Sequence, residues 1–153
     1  MDLRNDTILR EPLGRIAGKI SRVFFGALQK RLSHLDIERS FYPLLLIDAG
    51  KGELTQQDLA SKLFSDKVQV VRIVDYLSAN GYVERIQNPK DRRQYKLHVT
   101  DKGHAAVPEI KAVVKELSQI AFKGLSPEKI DELYSTLDLI ETNLVCLKTE
   151  LEE

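Results

Sequence analysis

Two short helical patterns joined by a tight link constrain the fold of this chain more than any other feature of its sequence. The first begins at Thr55, with Asp58 three residues later, a spacing at which the two side chains can satisfy free amide groups at a helix N-terminus. The second ends at Asn80-Gly81 and carries an apolar stripe with the spacing of one helical face: Val70, Ile73, Val74 and Leu77. Only residues 64–66 separate the two patterns, which predicts a helix-turn-helix.

A predicted β-hairpin follows the second helix directly. Residues 82–87 and 95–100 have the composition of strands, and the second strand alternates Tyr95, Leu97 and Val99 with polar residues. Residues 88–91, Asn-Pro-Lys-Asp, supply the turn between them. A hairpin in this position is the wing of a winged helix-turn-helix.

Longer helical patterns flank this unit. Apolar residues at helical spacing predict a helix over residues 7–35 and a shorter one over residues 38–49. Beyond the wing, a helix is predicted over residues 104–123, and Ser126-Pro127 begins a final helix.

We therefore predict a mostly α-helical fold with a small β-hairpin wing, in one chain unit over residues 1–153. Its winged helix-turn-helix lobe covers residues 36–103. Residues 7–35 and 104–151 are the predicted dimerisation helices.

The final helix carries an apolar seam that alternates steps of three and four residues, as in a coiled coil. The seam could be covered by the first helix of the same chain or by a second copy. We favour the second copy, because terminal helices that project past a small lobe are poorly covered by it. The residues predicted to form this dimer interface are Leu9, Leu13, Ile16, Ile130, Leu133, Leu137, Ile140, Leu144 and Leu147.

The composition fits a globular, cytoplasmic protein, with 42% hydrophobic and 30% charged residues. No apolar stretch approaches the length of a membrane span. The single cysteine, Cys146, excludes an internal disulfide and lies in an apolar stretch, where it is expected to act as a small hydrophobe and not as a redox switch.

Charge is unevenly distributed although the formal net charge is zero. The acidic residues are concentrated after residue 104, whereas residues 85–96 carry five cations against one anion, Asp91. A local density of this kind is what a phosphate backbone needs for binding. The sequence therefore favours a nucleic-acid partner despite its neutrality.

The helix-turn-helix and wing closely resemble the MarR family of winged-helix regulators. The resemblance rests on five segments in the expected order and spacing: residues 54–60, 66–67, 77–85, 91–93 and 99–103. It implies a bacterial or archaeal transcriptional regulator that acts as a repressor and binds a pseudo-palindromic double-stranded DNA operator as a homodimer. It also implies release by a small aromatic or phenolic effector.

The second helix of the motif would lie in the major groove. Its buried stripe leaves six residues toward the DNA: Lys67, Val68, Gln69, Val71, Arg72 and Tyr76. Gln69 can bond an adenine edge, and the two valines, which replace small hydroxyl residues common in the family, could contact thymine methyl groups. Thr55, Gln56 and Gln57 at a helix N-terminus are expected to contact phosphates.

The wing supplies the remaining predicted DNA contacts, Lys90, Asp91, Arg92 and Arg93. By resemblance, Arg93 reaches into the minor groove and Asp91 orients it, since a carboxylate two residues away can bond the guanidinium. The alternative interpretation is that Asp91 and Arg93 form only a weak surface ion pair.

Other classes of function fit less well. The three histidines have no metal-ligand spacing, and neither a glycine-rich phosphate loop nor a nucleophile elbow is present. We therefore predict no enzyme activity, no metal and no cofactor. A winged helix used as a protein-interaction module, without specific DNA binding, remains the alternative. An effector pocket is expected where the long helices meet the lobe, near Phe24, Phe25, His34, Phe41 and Tyr42.

Overall fold

The computed structural model describes residues 11–151, apart from the side chains of residues 146 and 148–151. Over this range the chain forms six helices and one antiparallel hairpin. In chain order these are α1 (Leu13–Arg31), α2 (Phe41–Ala49), α3 (Gln56–Leu63), α4 (Lys67–Ala79), β1 (Val83–Asn88), β2 (Asp91–Val99), α5 (Asp101–Ala121) and α6 (Pro127–Leu151). The predicted fold class, mostly helical with a small wing, is confirmed.

Several boundaries differ from the predicted ones. Helix α1 begins after Pro12, whose φ of −57° suits the residue that precedes a helix, and it ends at Arg31 instead of continuing to residue 35; residues 7–10 of the predicted helix lie outside the described residues. Strand β2 begins at Asp91, four residues before its predicted start, because Asp91 pairs with Asn88. The loop of the hairpin is therefore only Pro89-Lys90.

Residue contacts divide the chain after residue 117. The first unit contains α1 to β2 and most of α5, and its apolar core draws on all of these elements. Helix α2 has the most apolar sequence of the helices, and it buries Phe41, Leu44 and Ile47. The predicted separation of a lobe at residues 36–103 from flanking dimerisation helices stays a prediction.

The hairpin is joined to the beginning of α3. Strands β1 and β2 pair in antiparallel register, with Arg85 opposite Leu97. The amide of Leu97 in turn donates to the carbonyl oxygen of Leu54 at 2.8 Å. Because Leu54 immediately precedes the N-cap of α3, the base of the wing is fixed to the helix-turn-helix by backbone hydrogen bonds.

The second unit, residues 118–151, contains the end of α5 and the whole of α6. The rings of Phe122 and Tyr134 pack edge to face with centroids 6.0 Å apart. Ser126 caps the helix through a long contact of 3.4 Å from the Lys129 amide. Within residues 11–151, no helix combines the length and apolar composition needed to cross a membrane.

Candidate nucleic-acid interface

Helix α3 begins with a complete capping box. The amide of Asp58 donates to the hydroxyl oxygen of Thr55 at 3.2 Å, and the amide of Thr55 donates to the Asp58 carboxylate at 2.9 Å. The Thr55 hydroxyl also donates to that carboxylate at 2.7 Å. The two bonds that the Asp58 carboxylate accepts hold the pKa of Asp58 below its ordinary value, and the bond from the Thr55 hydroxyl has the larger effect. The capping box predicted from the sequence is present.

Helix α4 is anchored on one side and open on the other. Asp66 caps it by accepting a 2.8 Å hydrogen bond from the Gln69 amide. Val70, Val74 and Leu77 of the predicted stripe are buried, whereas Ile73 is half-buried. The six predicted DNA-facing residues divide into two groups. Lys67, Val68, Gln69 and Arg72 are exposed, and Val71 and Tyr76 are half-buried.

The side chain of Gln69 is held by its neighbour. The hydroxyl of Ser65 donates to Oε1 of Gln69 at 3.3 Å. Within the described residues, the side-chain amide of Gln69 forms no other hydrogen bond, so its NH₂ donors are available. This contact biases Gln69 toward one orientation at the first turn of α4.

The tip of the wing is shaped by two side chains that bond its backbone. The amide of Lys90 donates to the side-chain oxygen of Asn88 at 3.0 Å, and Asn88 is 91% buried. The amide of Arg93 donates to the Asp91 carboxylate, also at 3.0 Å. The expectation that Asp91 orients Arg93 through its guanidinium therefore needs correction, because the contact is to the Arg93 backbone.

The cations of the wing tip are presented to solvent. Lys90, Arg92 and Arg93 are all exposed. None of the three forms a side-chain ion pair with another residue of the described range. The weak ion pair considered as an alternative for Asp91 and Arg93 is likewise not formed there. Of the five cations that the sequence places in residues 85–96, these three are thus available to an anionic partner.

Arg85 was not identified as a site residue from the sequence, yet it joins three elements. From β1, its Nε donates to Oε1 of Gln56 in α3 at 2.6 Å, and its Nη2 donates to Asp75 in α4 at 2.6 Å. Gln56, predicted to contact phosphate, thus has its side-chain oxygen engaged inside the protein. No motif marks this contact, since its partners are 29 and 10 residues away.

The segment 100–103, Thr-Asp-Lys-Gly, fixes the end of the wing to the end of α4. The Thr100 hydroxyl donates to the Gly81 carbonyl at 2.6 Å, and the amide of Gly103 donates to the Thr100 hydroxyl at 3.2 Å. The Lys102 ammonium donates to the Asn80 carbonyl at 2.8 Å and lies 4.4 Å from the centre of the Tyr82 ring. This motif is therefore a structural clamp.

Lys96 of β2 forms a second link to the segment before α3, because its ammonium donates to the carboxylate of Glu53. This bond lowers the pKa of Glu53. Together with the Leu54 to Leu97 backbone bond, it fixes β2 next to the start of α3.

An open cleft of about 500 Å³ lies beside α4. Arg72 and Tyr76 line it from α4, and Glu38, Arg39 and Ser40 line it from the segment before α2. Desolvation raises the pKa of the Tyr76 phenol, and the carboxylates of Glu38 and Asp36 raise it further. Two residues predicted to contact DNA thus also border a cleft.

The residues predicted for an effector pocket lie in different environments. Phe41 is 98% buried in the core, whereas Phe25 and Tyr42 are about half exposed. Phe24 packs edge to face on Phe25 at 6.1 Å, and His34 contacts Glu109 of α5 at 2.8 Å. None of the five lines the cleft beside α4. The effector site at these residues stays a prediction, and the cleft is a place that the sequence did not indicate.

The predicted dimerisation residues are largely exposed to solvent in this single chain. Leu13 is 50% exposed on α1, and the α6 seam residues Leu133, Leu137, Leu144 and Leu147 are 38–56% exposed. Ile16, Ile130 and Ile140 are half-buried. Leu9 lies outside the described residues, as does the side chain of Cys146.

Among the side chains that the structure describes, no three His, Cys, Asp or Glu residues are grouped so as to hold a metal ion. His104 instead contacts Asp48 at 3.2 Å, and Lys111 contacts the same carboxylate at 3.4 Å. These contacts join α5 to α2.

The chain is similar in sequence to known transcriptional regulators. The model of the MarR family matches residues 39–94, which run from just before α2 into the wing. Among curated proteins, the chain is 28% identical to the HTH-type transcriptional regulator BilQ of Clostridioides difficile (strain CD3), over all of this chain and 99% of BilQ.

Solved structures share the same fold. A MarR transcriptional regulator from Methanosarcina mazei Go1 is 25% identical, with a TM-score of 0.77 over 88% of this chain and 97% of that one. A mutant of MarR from E. coli, solved as a complex with operator DNA, is 29% identical, with a TM-score of 0.75 over 84% of this chain and 93% of that one.

Proposed function

We propose that this chain is a winged-helix transcriptional regulator of the MarR family and that it binds a pseudo-palindromic DNA operator as a homodimer. The match of residues 39–94 to the family model and the 28% identity to a known regulator over the whole chain support this proposal. The observation that carries the proposal is the open face of α4 next to a wing whose tip bears three exposed cations. Arg85 couples these two elements to α3. The E. coli relative that was solved with operator DNA supports the same partner for this chain.

Helix α4 is the element that enters the major groove. A helix with its side chains is about 10 to 12 Å across and the major groove is about 12 Å wide, so the first turns of α4 can lie between the phosphate backbones. Those turns present the side-chain amide of Gln69 and two cations, Lys67 and Arg72. Gln69 serves adenine recognition, and the cations bind phosphate or base edges.

The wing contributes the minor-groove contact. Arg93 is exposed at a tip whose backbone is held by Asn88 and Asp91. The backbone of the tip therefore loses little conformational freedom on binding. A narrow, A·T-rich minor groove has an enhanced negative potential that attracts an arginine. Lys90 and Arg92 add phosphate contacts on either side.

The homodimer is formed through the α6 seam and α1. Several large apolar side chains of these helices are exposed in the single chain, which is typical of an interface. Two copies related by a two-fold axis would present two α4 helices to half-sites about 34 to 36 Å apart, as the symmetry of a pseudo-palindrome requires. We further propose that the bound dimer represses transcription and that a small aromatic effector releases it.

A mobility-shift titration tests DNA binding. Operator fragments are first selected from a random DNA pool with the wild-type protein, and binding is then measured at several salt concentrations. We expect affinity to fall as salt rises, because each phosphate contact releases counterions. Arg93→Ala should weaken binding by about ten-fold or more, which corresponds to the loss of ~1.4 kcal/mol.

The matched control is Lys115→Ala, which removes an exposed cation from α5 and should leave affinity within two-fold of wild type. If no sequence is enriched from the pool, or if affinity does not change with salt, the proposal is wrong and a protein-interaction module becomes the better interpretation.

A further inference from the structure

We propose that the first turn of α4 selects A·T base pairs by two adjacent contacts, with Val68 contacting a thymine methyl group and Gln69 an adenine edge. The inference rests on the proposed function, since it assigns base specificity to the same helix. It makes Val68 a residue that determines which operator is bound.

The structure separates the two valines that the sequence left equivalent. Val68 is 61% exposed, whereas Val71 is half-buried against the protein. An aliphatic side chain this exposed gains stability only where a partner covers it. In the major groove, the apolar group that a base edge presents is the thymine 5-methyl group. Val68 is therefore the valine that can read thymine.

Gln69 is oriented for the complementary contact. Ser65 donates to its side-chain oxygen at 3.3 Å, and Asp66 accepts from its backbone amide at 2.8 Å. The carbonyl oxygen keeps a second lone pair and the NH₂ group keeps its donors. These are the groups that pair with N6 and N7 of adenine. Because the bond from Ser65 biases the side chain toward one orientation, less rotamer entropy is lost on binding.

The two side chains are close enough to read one short site. Consecutive helical residues are separated by a rise of 1.5 Å and a rotation of about 100°. An A·T pair presents the adenine N6 and N7 groups and the thymine methyl group on the same edge. Val68 and Gln69 can therefore contact the same base pair or two neighbouring pairs.

Replacing thymine by deoxyuridine tests the inference, because it removes only the methyl group. Each thymine of the selected operator is replaced in turn, symmetrically in both half-sites, and affinity is measured for wild type and for Val68→Ala. One methyl group contributes about 0.8 kcal/mol when buried, or about four-fold per half-site. We expect one position at which deoxyuridine weakens wild-type binding by about fifteen-fold, and at which Val68→Ala loses most of that difference.

Two further variants sharpen this comparison. Val68→Thr retains one methyl group of the valine and should keep part of the preference for thymine. Val71→Ala, at the half-buried valine of the same helix, should keep all of it. Pairing each protein variant with each DNA variant isolates the contact as a coupling energy.

The outcomes separate this inference from the proposed function. Specific binding with no position at which deoxyuridine acts through Val68 overturns the thymine contact and leaves DNA binding intact. Loss of the deoxyuridine effect in Val71→Ala instead of Val68→Ala also overturns it. If no operator is enriched at all, the proposed function and this inference fail together.

Discussion

The guanidinium of Arg85 lies 2.6 Å from the carboxylate of Asp75, so the wing strand β1 is bonded directly to the helix α4. The same side chain bonds Gln56 of α3. If the wing and α4 act on DNA together, their relative position matters as much as their surface charge. Arg85 is a positioning residue for that arrangement.

Replacing Arg85 by methionine should therefore weaken operator binding although Arg85 need not touch DNA. The variant keeps much of the apolar stem but leaves Gln56 and Asp75 without this partner. We expect a stability loss of about 1 kcal/mol, because the Asp75 carboxylate is 59% exposed to solvent, and a loss of affinity of several-fold. Mobility shift and urea unfolding measure the two effects.

Asp75→Asn, which retains a hydrogen-bond acceptor, should have a smaller effect on both. Full affinity in Arg85→Met would show that the bonds of Arg85 to Gln56 and Asp75 do not position the wing.

Gly103→Ala should destabilise the fold strongly. A Cβ atom at this position would lie 2.5 Å from the carbonyl oxygen of Tyr82 and 2.5 Å from Cγ1 of Val99. Overpacking of this kind costs about 1 to 3 kcal/mol, which urea unfolding can measure. The control is Gly18→Ala in α1, where nothing lies within 4 Å of the new atom, and where alanine should raise stability by about 0.5 to 1 kcal/mol through its helix propensity. Equal effects of the two substitutions would contradict the close approach.

Asp58→Asn should lower stability at neutral pH by about 0.3 to 1 kcal/mol, the usual contribution of an anionic side chain in the first turn of a helix. The folded-state pKa of Asp58 is lowered, so its contribution is fully present above the ordinary carboxyl pKa and is lost as pH falls through the lowered value. The stability gap between wild type and variant should therefore close as the solution is acidified below about pH 4. Thermal unfolding across pH 3 to 7 checks this.

Glu141→Gln, at an exposed site of α6, is the control. A gap that persists in acid would contradict the charged cap.

Leu137→Glu in the α6 seam should shift the protein from dimer to monomer. Leu137 is 44% exposed in the single chain, so the substitution should not damage the fold of one protomer, but a charge in an apolar interface is costly. Sedimentation equilibrium measures the mass. Glu132→Gln, at an exposed residue outside the seam, should leave the dimer intact. A wild-type protein that is monomeric at micromolar concentration would refute the predicted interface.

The local elements followed from the sequence because their signals are short-range. Thr55 and Asp58 are three residues apart, and the cap depends only on that spacing and on backbone geometry. The buried face of α4 likewise follows from the period of the helix. The segment 100–103 was recognised as part of a family pattern, and its role as a clamp became clear only from its bonds to residues 80–82.

Contacts between distant residues could not be predicted in this way. Arg85 and Gln56 are 29 residues apart, and many arginines on a strand would look the same in the sequence. The contact of Asp91 was assigned to the wrong group of Arg93, because a carboxylate two residues away can bond either the guanidinium or the backbone amide. The sequence did not show that Phe41 is buried in the core, because an aromatic residue that lines a pocket has the same local sequence pattern as one in the core.

Val68 and Val71 of α4 show which properties of a helix follow from the sequence and which depend on the tertiary structure. The sequence alone determined that α4 is a capped helix with a buried stripe, because helical period and capping depend on neighbours within four residues. Only the tertiary structure decided that Val68 is exposed and Val71 half-buried, because burial depends on what packs against the helix from elsewhere in the chain. The same reason explains why the helix-turn-helix was evident from residue spacing, whereas the bonds that orient its wing were not.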